Sequence, residues 1–412
     1  MSGSGERDPI FSYEDAIFSN EELLDVQHIP SPDRIVGRDE HISKVANVLN
    51  PVLFGSPPTN LVIYGKTGTG KSLIARHVVD RLTDEAATEG ITVRSARIDC
   101  GRRSTETEAV KTLARYFNTE NTGVSVPKTG VSTGDYYDRL WSILESECDI
   151  AIVVLDEIDK LRSDEILRNL SRAGEDENVT DTYIGIIGVS NKIDYPDTLS
   201  ERVKSSFRYD DLVFTPYDAT ELENILQKRE DAYVEGVLTD DVIPLCAALS
   251  AQEHGDARKA IDIFRHAGRI ARDERSKEVS EKHVRAGKKR AEMNRFEELI
   301  RGTPTQGKAT LLAISLMTQR TDDDTHSTRS VYQAYERIAN EIGLDCLSER
   351  RVGELLDELD FLNVIRTRRT SRGRGAGMYN EHRLLEDAEV VKQVIVSDSR
   401  FSDWSDSAEE TL

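Results

Sequence analysis

The chain has 412 residues, too many for one core of ordinary size, so two or three domains are expected, and its 38% hydrophobic content suffices to build them. No apolar run approaches the roughly 20 residues of a membrane span, and the polar N-terminus lacks a charged-then-apolar leader, which points to a cytoplasmic protein with no membrane partner. A net charge of −21 argues, at face value, against nucleic acid as a partner, but acids spread along the whole chain read better as a surface adapted to molar salt, where local charge says more than the total.

In chain order, residues 1–19 read as a mobile arm and 35–50 as a turn into an amphipathic helix. Residues 60–64 (NLVIY) form a buried strand before a Gly-rich loop, followed by a helix over 72–83, a strand over 91–99 and a helix over 105–117. The Gly/Thr/Ser/Pro-rich stretch 118–134 is a loop or insertion. Residues 150–155 (IAIVVL) are a central strand and 183–189 (YIGIIGV) another. Strands alternating with helices predict an α/β fold with a parallel sheet covered on both faces. Past Phe214 the pattern turns helical, with helices over 219–233, 242–254 and 257–271. A Gly/Pro/Thr break at 301–308 precedes three helices and a basic hairpin, and the tail is acidic. The four cysteines (Cys100, Cys148, Cys246, Cys346) form no CxxC or Cys/His cluster and read as free thiols.

The segment Gly65-Lys66-Thr67-Gly68-Thr69-Gly70-Lys71-Ser72 fits G-x-x-x-x-G-K-[ST] between a strand and a helix, the context of a P-loop. Its glycines let backbone amides face phosphate oxygens at the positive end of the helix. Lys71 can reach the β- and γ-phosphates of ATP or ADP, and Ser72 can hold Mg²⁺. In Val153-Val-Leu-Asp156-Glu157 a buried strand delivers two carboxylates: Asp156 to organise Mg²⁺, Glu157 to act as general base on the lytic water. Asn191, at the end of the 183–189 strand, and Arg258, opening a later helix, stand where a third phosphate could be sensed. By spacing alone they are equally well ordinary surface residues.

Taken in order, GKTGTGKS, VVLDEID, GVSNKID, SERVKSSF, VFTPYDATELENIL and GDARKAIDIFRHA resemble the archaeal origin-recognition/Cdc-type replication initiators, a clade of the AAA+ ATPases, over residues 20–379. The resemblance implies that Asn191 is the first sensor and Arg258 the second, and that Arg202 is an arginine finger reaching a neighbour's γ-phosphate, with Glu201 where relatives often carry Pro. It also implies that Ile35, Val36 and Gly37 pack on adenine and that Tyr217 and Arg229 line the nucleotide. Tyr217 also reads as a hinge-packing aromatic.

Near the C-terminus, residues 308–317 and 330–342 read as two amphipathic helices. A third is opened by Ser348 as N-cap, with Val352, Leu355, Leu356 and Leu359 on one face and Arg350 and Arg351 on the other. Two short strands then flank a Gly/Arg tip, the wing of a winged helix. Five arginines (Arg366, Arg368, Arg369, Arg372, Arg374) fall there with no acid among them. In so acidic a chain this inversion points to double-stranded DNA, with guanidiniums on phosphates, the tip in a minor groove and the third helix in the major groove. A solvated basic loop, or a contact with RNA or protein, is the competing reading. Lys128 and Thr129 resemble part of an inserted helical pair through which the family's AAA+ domain also touches DNA.

The expected architecture is an AAA+ domain (20–213), a helical lid (214–296), a winged helix (297–400) and an acidic tail (401–412). The expected function is recognition of origin DNA repeats as a slow ATPase switch, with the MCM helicase and a second initiator subunit as further partners. A DNA-binding regulator of transcription or plasmid copy control, or a hexameric remodelling ATPase, would use the same fold. The Arg-rich wing and the lack of an aromatic pore loop speak against the hexamer.

Overall fold

The computed structural model describes residues 15–401 apart from 27, 322 and 372–377. Contacts divide the chain into two compact units, residues 1–268 with 275–281 and residues 269–274 with 282–412.

The first unit contains α1 (Asp39–Leu49), β1 (Asn60–Gly65), α2 (Lys71–Thr88), β2 (Val93–Asp99), α3 (Glu106–Phe117), α4 (Thr133–Glu147) and β3 (Ile150–Asp156). It continues through α5 (Glu165–Ser171), β4 (Tyr183–Ser190), α6 (Tyr195–Thr198), α7 (Glu201–Ser206), β5 (Tyr209–Phe214), α8 (Ala219–Gln227) and α9 (Val242–Glu253), into α10 (Ala257–Asp273). All five strands are parallel, in the order β2-β3-β4-β1-β5. Helices cover both faces, so β1 and β3 read as unbroken apolar runs. Their alternate residues feed two separate cores. Val62, Val153 and Leu155 pack with Phe117, Leu140, Trp141 and Leu144, whereas Leu61, Ile63, Ile152 and Val154 pack with Val45, Leu49, Ile74 and Val78. The register aligns Asp99 with Asp156, Tyr64 with Ser190 and Gly65 with Phe214, so the P-loop, the paired carboxylates and the hinge to the later helices emerge at one edge of the sheet. In parallel α/β sheets this carboxyl edge is where ligands bind.

Several features of this unit depart from the sequence reading, among them the short helices α5, α6 and α7, which were not foreseen. β5 was not foreseen, because an edge strand reading YDDLVF buries only Leu212 and Phe214. α4 was hidden behind the loop 118–132, although Ser132 and Asp135 form a complete capping box at its start. The mobile arm expected over 1–19 is overturned for residues 15–19. Ile17 and Phe18 are buried, Val234 donates its amide to the Ile17 carbonyl, and the amides of Ser19 and Asn20 donate to Ala232. The Phe18 ring lies 4.9 Å from that of Tyr233. Two apolar residues with an aromatic partner outweigh the polar composition around them. Residues 1–14 lie outside the described residues.

The second unit holds most of α11 (Glu281–Ile300), then α12 (Thr305–Arg320), β6 (His326–Ser327), α13 (Thr328–Glu341), α14 (Glu349–Phe361), β7 (Ile365–Ser371), β8 (Met378–Leu384) and α15 (Ala388–Val396). The strands form an antiparallel sheet ordered β6-β8-β7. Three helices followed by this ribbon are a winged helix. α12 is not amphipathic as expected: every residue from Gly307 to Leu316 is buried, because α13, α14 and α15 surround it. Its one cation in that stretch, Lys308, is compensated by Asp398 at 2.9 Å. α15 was not foreseen. Of the cysteines, Cys100, Cys148 and Cys246 are buried, Cys346 is exposed, and all are free thiols.

The docking of Phe18 generates a test. A methyl group on Gly268 would collide with the Phe18 ring and come 2.7 Å from the Tyr233 hydroxyl. Gly268→Ala should destabilise the protein by about 1–3 kcal/mol in urea unfolding, the usual effect of overpacking, and adding Phe18→Ala should relieve part of that loss. Strict additivity of the two would show that residue 18 does not sit there.

Candidate functional site

The P-loop turns through left-handed glycines, Gly68 at φ 74° and Gly70 at φ 89°. Lys71, 5% exposed, donates through Nζ to the carbonyls of Gly65 (2.8 Å) and Lys66 (2.6 Å), so its ammonium lies inside the loop. Burial lowers its pKa to about 8; Asp156 opposes that shift and Arg258 adds to it. Thr69 braces the turn by donating from its hydroxyl to the Lys66 carbonyl, while Lys66 and Thr67 stay at the surface. Ser72 Oγ donates to Asp156 Oδ1 at 2.9 Å. Arg97 of β2, unnoticed in the sequence, donates to the Ser72 carbonyl at 2.6 Å and lies 3.8 Å from the Asp156 carboxylate.

Glu157 follows at φ 54°, a left-handed conformation that non-glycine residues seldom adopt. Burial raises its carboxyl pKa, and the nearby charges of Asp99 and Asp156 raise it further. Its Oε2 approaches Gly101 so closely that a Cβ there would lie 2.6 Å away. Asp159 accepts from the Ser190 hydroxyl (3.1 Å) and the Asn191 amide (3.2 Å), which brings Asn191 beside the carboxylate turn.

The helices after β5 close the site from the other side. Asp256 accepts from the amides of Arg258 (2.8 Å) and Lys259 (3.2 Å), capping α10, and the Ala257 amide donates to the Gly68 carbonyl at 3.2 Å. The Asp256 carboxylate fills the space where any side chain at position 68 would stand. Arg258 is exposed, yet its charge lowers the pKa of both Lys71 and Arg97, which places it within the field of the P-loop. Arg38, another residue the sequence reading passed over, is 2% exposed. It donates to the Thr69 carbonyl (3.1 Å) and the Thr215 carbonyl (2.8 Å), and its guanidinium lies 3.8 Å over the Tyr217 ring. Tyr217 and Arg229 are both buried, and Arg229 donates to the Ile225 carbonyl at 2.8 Å. Ile35 and Val36 are half-buried at the entrance to α1, and Gly37 faces the Glu221 carboxylate.

The P-loop, the Asp156–Glu157 turn and Asn191 therefore gather at one edge of the sheet, with Tyr217 joined to the loop through Arg38 and Arg258 within its field, but Arg202 does not join them. It lies on α7 with its side chain 71% exposed, 3.9 Å from Glu165. Lys128 and Thr129 are exposed in the connection between the packed helices α3 and α4, a loop tied down by the Tyr136 hydroxyl donating to the Pro127 carbonyl at 2.9 Å.

In the winged helix, Ser348 caps α14 by accepting from the Arg351 amide. Arg350 and Arg351 are exposed and both pair with Glu354, at 3.3 and 2.5 Å. Arg366, Arg368 and Arg369 are exposed on β7. Arg366 stands opposite Arg383 on β8, and Arg368 opposite Glu381. Arg372 and Arg374 lie outside the described residues. Behind this ribbon the imidazole of His382, 1% exposed, bonds Thr328 (2.8 Å) and Thr367 (3.0 Å), and so ties β8 to the start of α13 and to β7.

Three family models match in order along the chain: an AAA ATPase domain over residues 34–180, a Cdc6 AAA+ ATPase-type lid domain over 223–289, and a CDC6 C-terminal winged helix domain over 298–394. Among whole proteins, the chain is 48% identical to ORC1-type DNA replication protein 4 of Halobacterium salinarum, with 98% of each covered. It is 44% identical to ORC1-type DNA replication protein 9 of Haloarcula marismortui, over 91% of this chain and 90% of that one. Among solved structures, the Aeropyrum pernix ORC1 protein in complex with DNA superposes with a TM-score of 0.77 at 35% identity, covering 94% of this chain and 99% of that one. Among the described residues, no helix is long and apolar enough to cross a membrane. With its nucleotide-type loop, capped lid and winged helix matched over nearly their full length, this chain belongs to the archaeal ORC1/Cdc6-type DNA replication proteins of the AAA+ ATPases.

Proposed function

We propose that the protein recognises replication-origin DNA and that ATP sets the conformation in which it does so. The observation that carries this reading is the run of exposed arginines on β7, in a chain of net charge −21 whose fold matches a DNA-bound relative. The domains serving it are the AAA+ module (20–213), the lid (214–296) and the winged helix (297–400). Recruitment or loading of an MCM helicase, and pairing with a second initiator subunit on nucleoid DNA, follow from the family resemblance.

In the nucleotide site, P-loop amides and Lys71 receive the phosphates, Ile35, Val36 and Tyr217 frame the base, and Arg229 and Arg258 carry the lid's response. The Ser72 hydroxyl and the Asp156 carboxylate, 2.9 Å apart and both hard oxygen donors, suit Mg²⁺, which keeps several of its waters when protein-bound. Bound there with ATP, the ion would neutralise charge developing on the phosphate oxygens. Glu157, its carboxyl pKa raised by burial and by two neighbouring acids, is fitted to take a proton from the lytic water, which Asn191 would orient. Turnover in a lone subunit would be slow, because Arg202, exposed on α7 beside Glu165, would act as a finger only on a neighbour's nucleotide.

Lys71 gives this reading a pH signature. Its pKa of about 8 in the free protein rises when polyphosphate arrives, so binding above pH 8 requires proton uptake. ADP affinity, measured by calorimetry, should be flat from pH 6.5 to 7.5 and then fall with a slope approaching tenfold per pH unit above 8. Lys71→Ala should bind weakly and lose that slope. A wild-type affinity unchanged up to pH 9.5 would remove Lys71 from phosphate binding.

The DNA reading is tested by nuclease footprinting in molar KCl on DNA flanking the protein's own gene. Wild type should protect short repeated elements, and Arg366→Ala/Arg368→Ala should lose that protection while still binding ADP. No protection by wild type would defeat the origin reading and leave the nucleotide site intact.

A further inference from the structure

The wing is not the only place where the chain reverses its charge. Its 75 Asp and Glu in 412 residues average close to two acids per ten positions. Residues 282–291, KHVRAGKKRA, carry five cations and no acid. They form the first half of α11, with His283, Val284, Gly287 and Ala291 turned inward and Lys282, Arg285, Lys289 and Arg290 exposed. At 100° per residue, Lys282, Arg285 and Lys289 share one stripe, with Arg290 beside it. Lys282 and Lys289 lie about 10 Å apart along the axis at 1.5 Å rise per residue, comparable to phosphates two or three steps apart at about 3.4 Å per step of one DNA strand.

We infer that this stripe on α11 is a second DNA-backbone surface, gripping phosphates without reading sequence. The inference rests on the DNA-binding reading above and adds to it a surface outside the wing and the α14 helix. What favours duplex DNA over an acidic protein is the attachment of the helix. The same α11 continues into the winged-helix core, where Phe296 and Ile300 are fully buried, so the stripe is fixed to the unit that carries the β7 arginines. Lys282, 66% exposed, pairs with the half-exposed Glu274 at 2.9 Å; a phosphate can displace that surface pair at little cost and leave Glu274 to the buried His283, 3.3 Å away. Lys288, on the flank of the stripe, lies 3.7 Å from Glu292.

The test uses the full chain and two duplexes of equal length, one containing the footprinted repeat and one unrelated, titrated by fluorescence anisotropy from 0.2 to 2 M KCl. Arg285→Gln/Lys289→Gln should weaken both duplexes by the same factor, tenfold or more at the lowest salt. Its log–log salt slope should be shallower by about 2, since each lost phosphate contact removes about 0.9. The preference for the repeat should not change, and Arg285→Lys should behave as wild type. Arg366→Ala/Arg368→Ala, by contrast, should reduce the preference. If the α11 variant keeps its ADP affinity and both duplex affinities with an unaltered slope while the wing variant is impaired, the stripe does not touch DNA. It would then serve an acidic partner or solvent. A loss confined to the repeat duplex would equally overturn backbone gripping. Wild type binding neither duplex would instead defeat the underlying DNA-binding reading. Lys282→Gln/Arg290→Gln, one residue on the stripe and one beside it, supplies an independent pair if the first variant folds poorly, with the same expected slope change.

Discussion

The amide of Ala257 donates to the carbonyl of Gly68, and that contact seats the lid on the phosphate loop. Gly68 is tied to it in two ways: its φ of 74° suits a residue without a side chain, and the Asp256 carboxylate already occupies the space a Cβ would need. Asp256 is held in place because it caps α10 through the amides of Arg258 and Lys259. One carboxylate thus starts a helix, closes it against the loop and leaves the following arginine within the electrostatic field of Lys71. Arg38 makes a matching connection on the other flank, joining the Thr69 carbonyl to the Thr215 carbonyl under the ring of Tyr217. Among the described residues no acid pairs with Arg38, so this buried cation depends on those two carbonyls and an aromatic face. All three lie at the P-loop and the hinge, which links loop geometry to lid position.

The distribution of charge follows a different constraint. Against a net charge of −21, exposed cations without an intervening acid run along β7 and along the start of α11. The α14 arginines are paired within their own helix. Both Arg350 and Arg351 engage Glu354, so contact with bases or phosphates from that helix requires exchanging an internal pair for an external one. The buried His382, bonded to two threonine hydroxyls, fixes β8 to its neighbours and gives the arginine-bearing ribbon a rigid base.

Much of the fold was legible because its signals are local. The apolar runs of β1, β3 and β4 announce a parallel sheet, and Ser348 announces α14 by the capping chemistry it then performs. What escaped was set by tertiary partners. β5 is an edge strand with acids in its middle, α12 is buried all round because three helices enclose it, and Phe18 is held by an aromatic that lies 215 positions later. In the site, the P-loop and the Asp156–Glu157 turn stand in recognisable spacing. Arg38, Arg97 and Asp256 do not: the two arginines act through backbone carbonyls that only the folded chain brings near, and Asp256, a local helix cap, meets Gly68 only once the chain is folded. The neighbouring glycine in Gly37-Arg38 and Gly255-Asp256 was the available signal: in both, a left-handed glycine aims the next residue inward.

The central claim is that lid and loop share one nucleotide-sensitive contact. Amide hydrogen exchange of residues 255–260, with and without MgADP, tests it most directly in wild type and Asp256→Ala. The account predicts that nucleotide slows exchange across this first turn of α10 in wild type. In the variant it predicts that the slowing is lost and that ADP affinity falls at least tenfold. Equal protection and equal affinity in the two proteins would contradict it, and would mean that the lid rests on the loop without sensing what the loop holds.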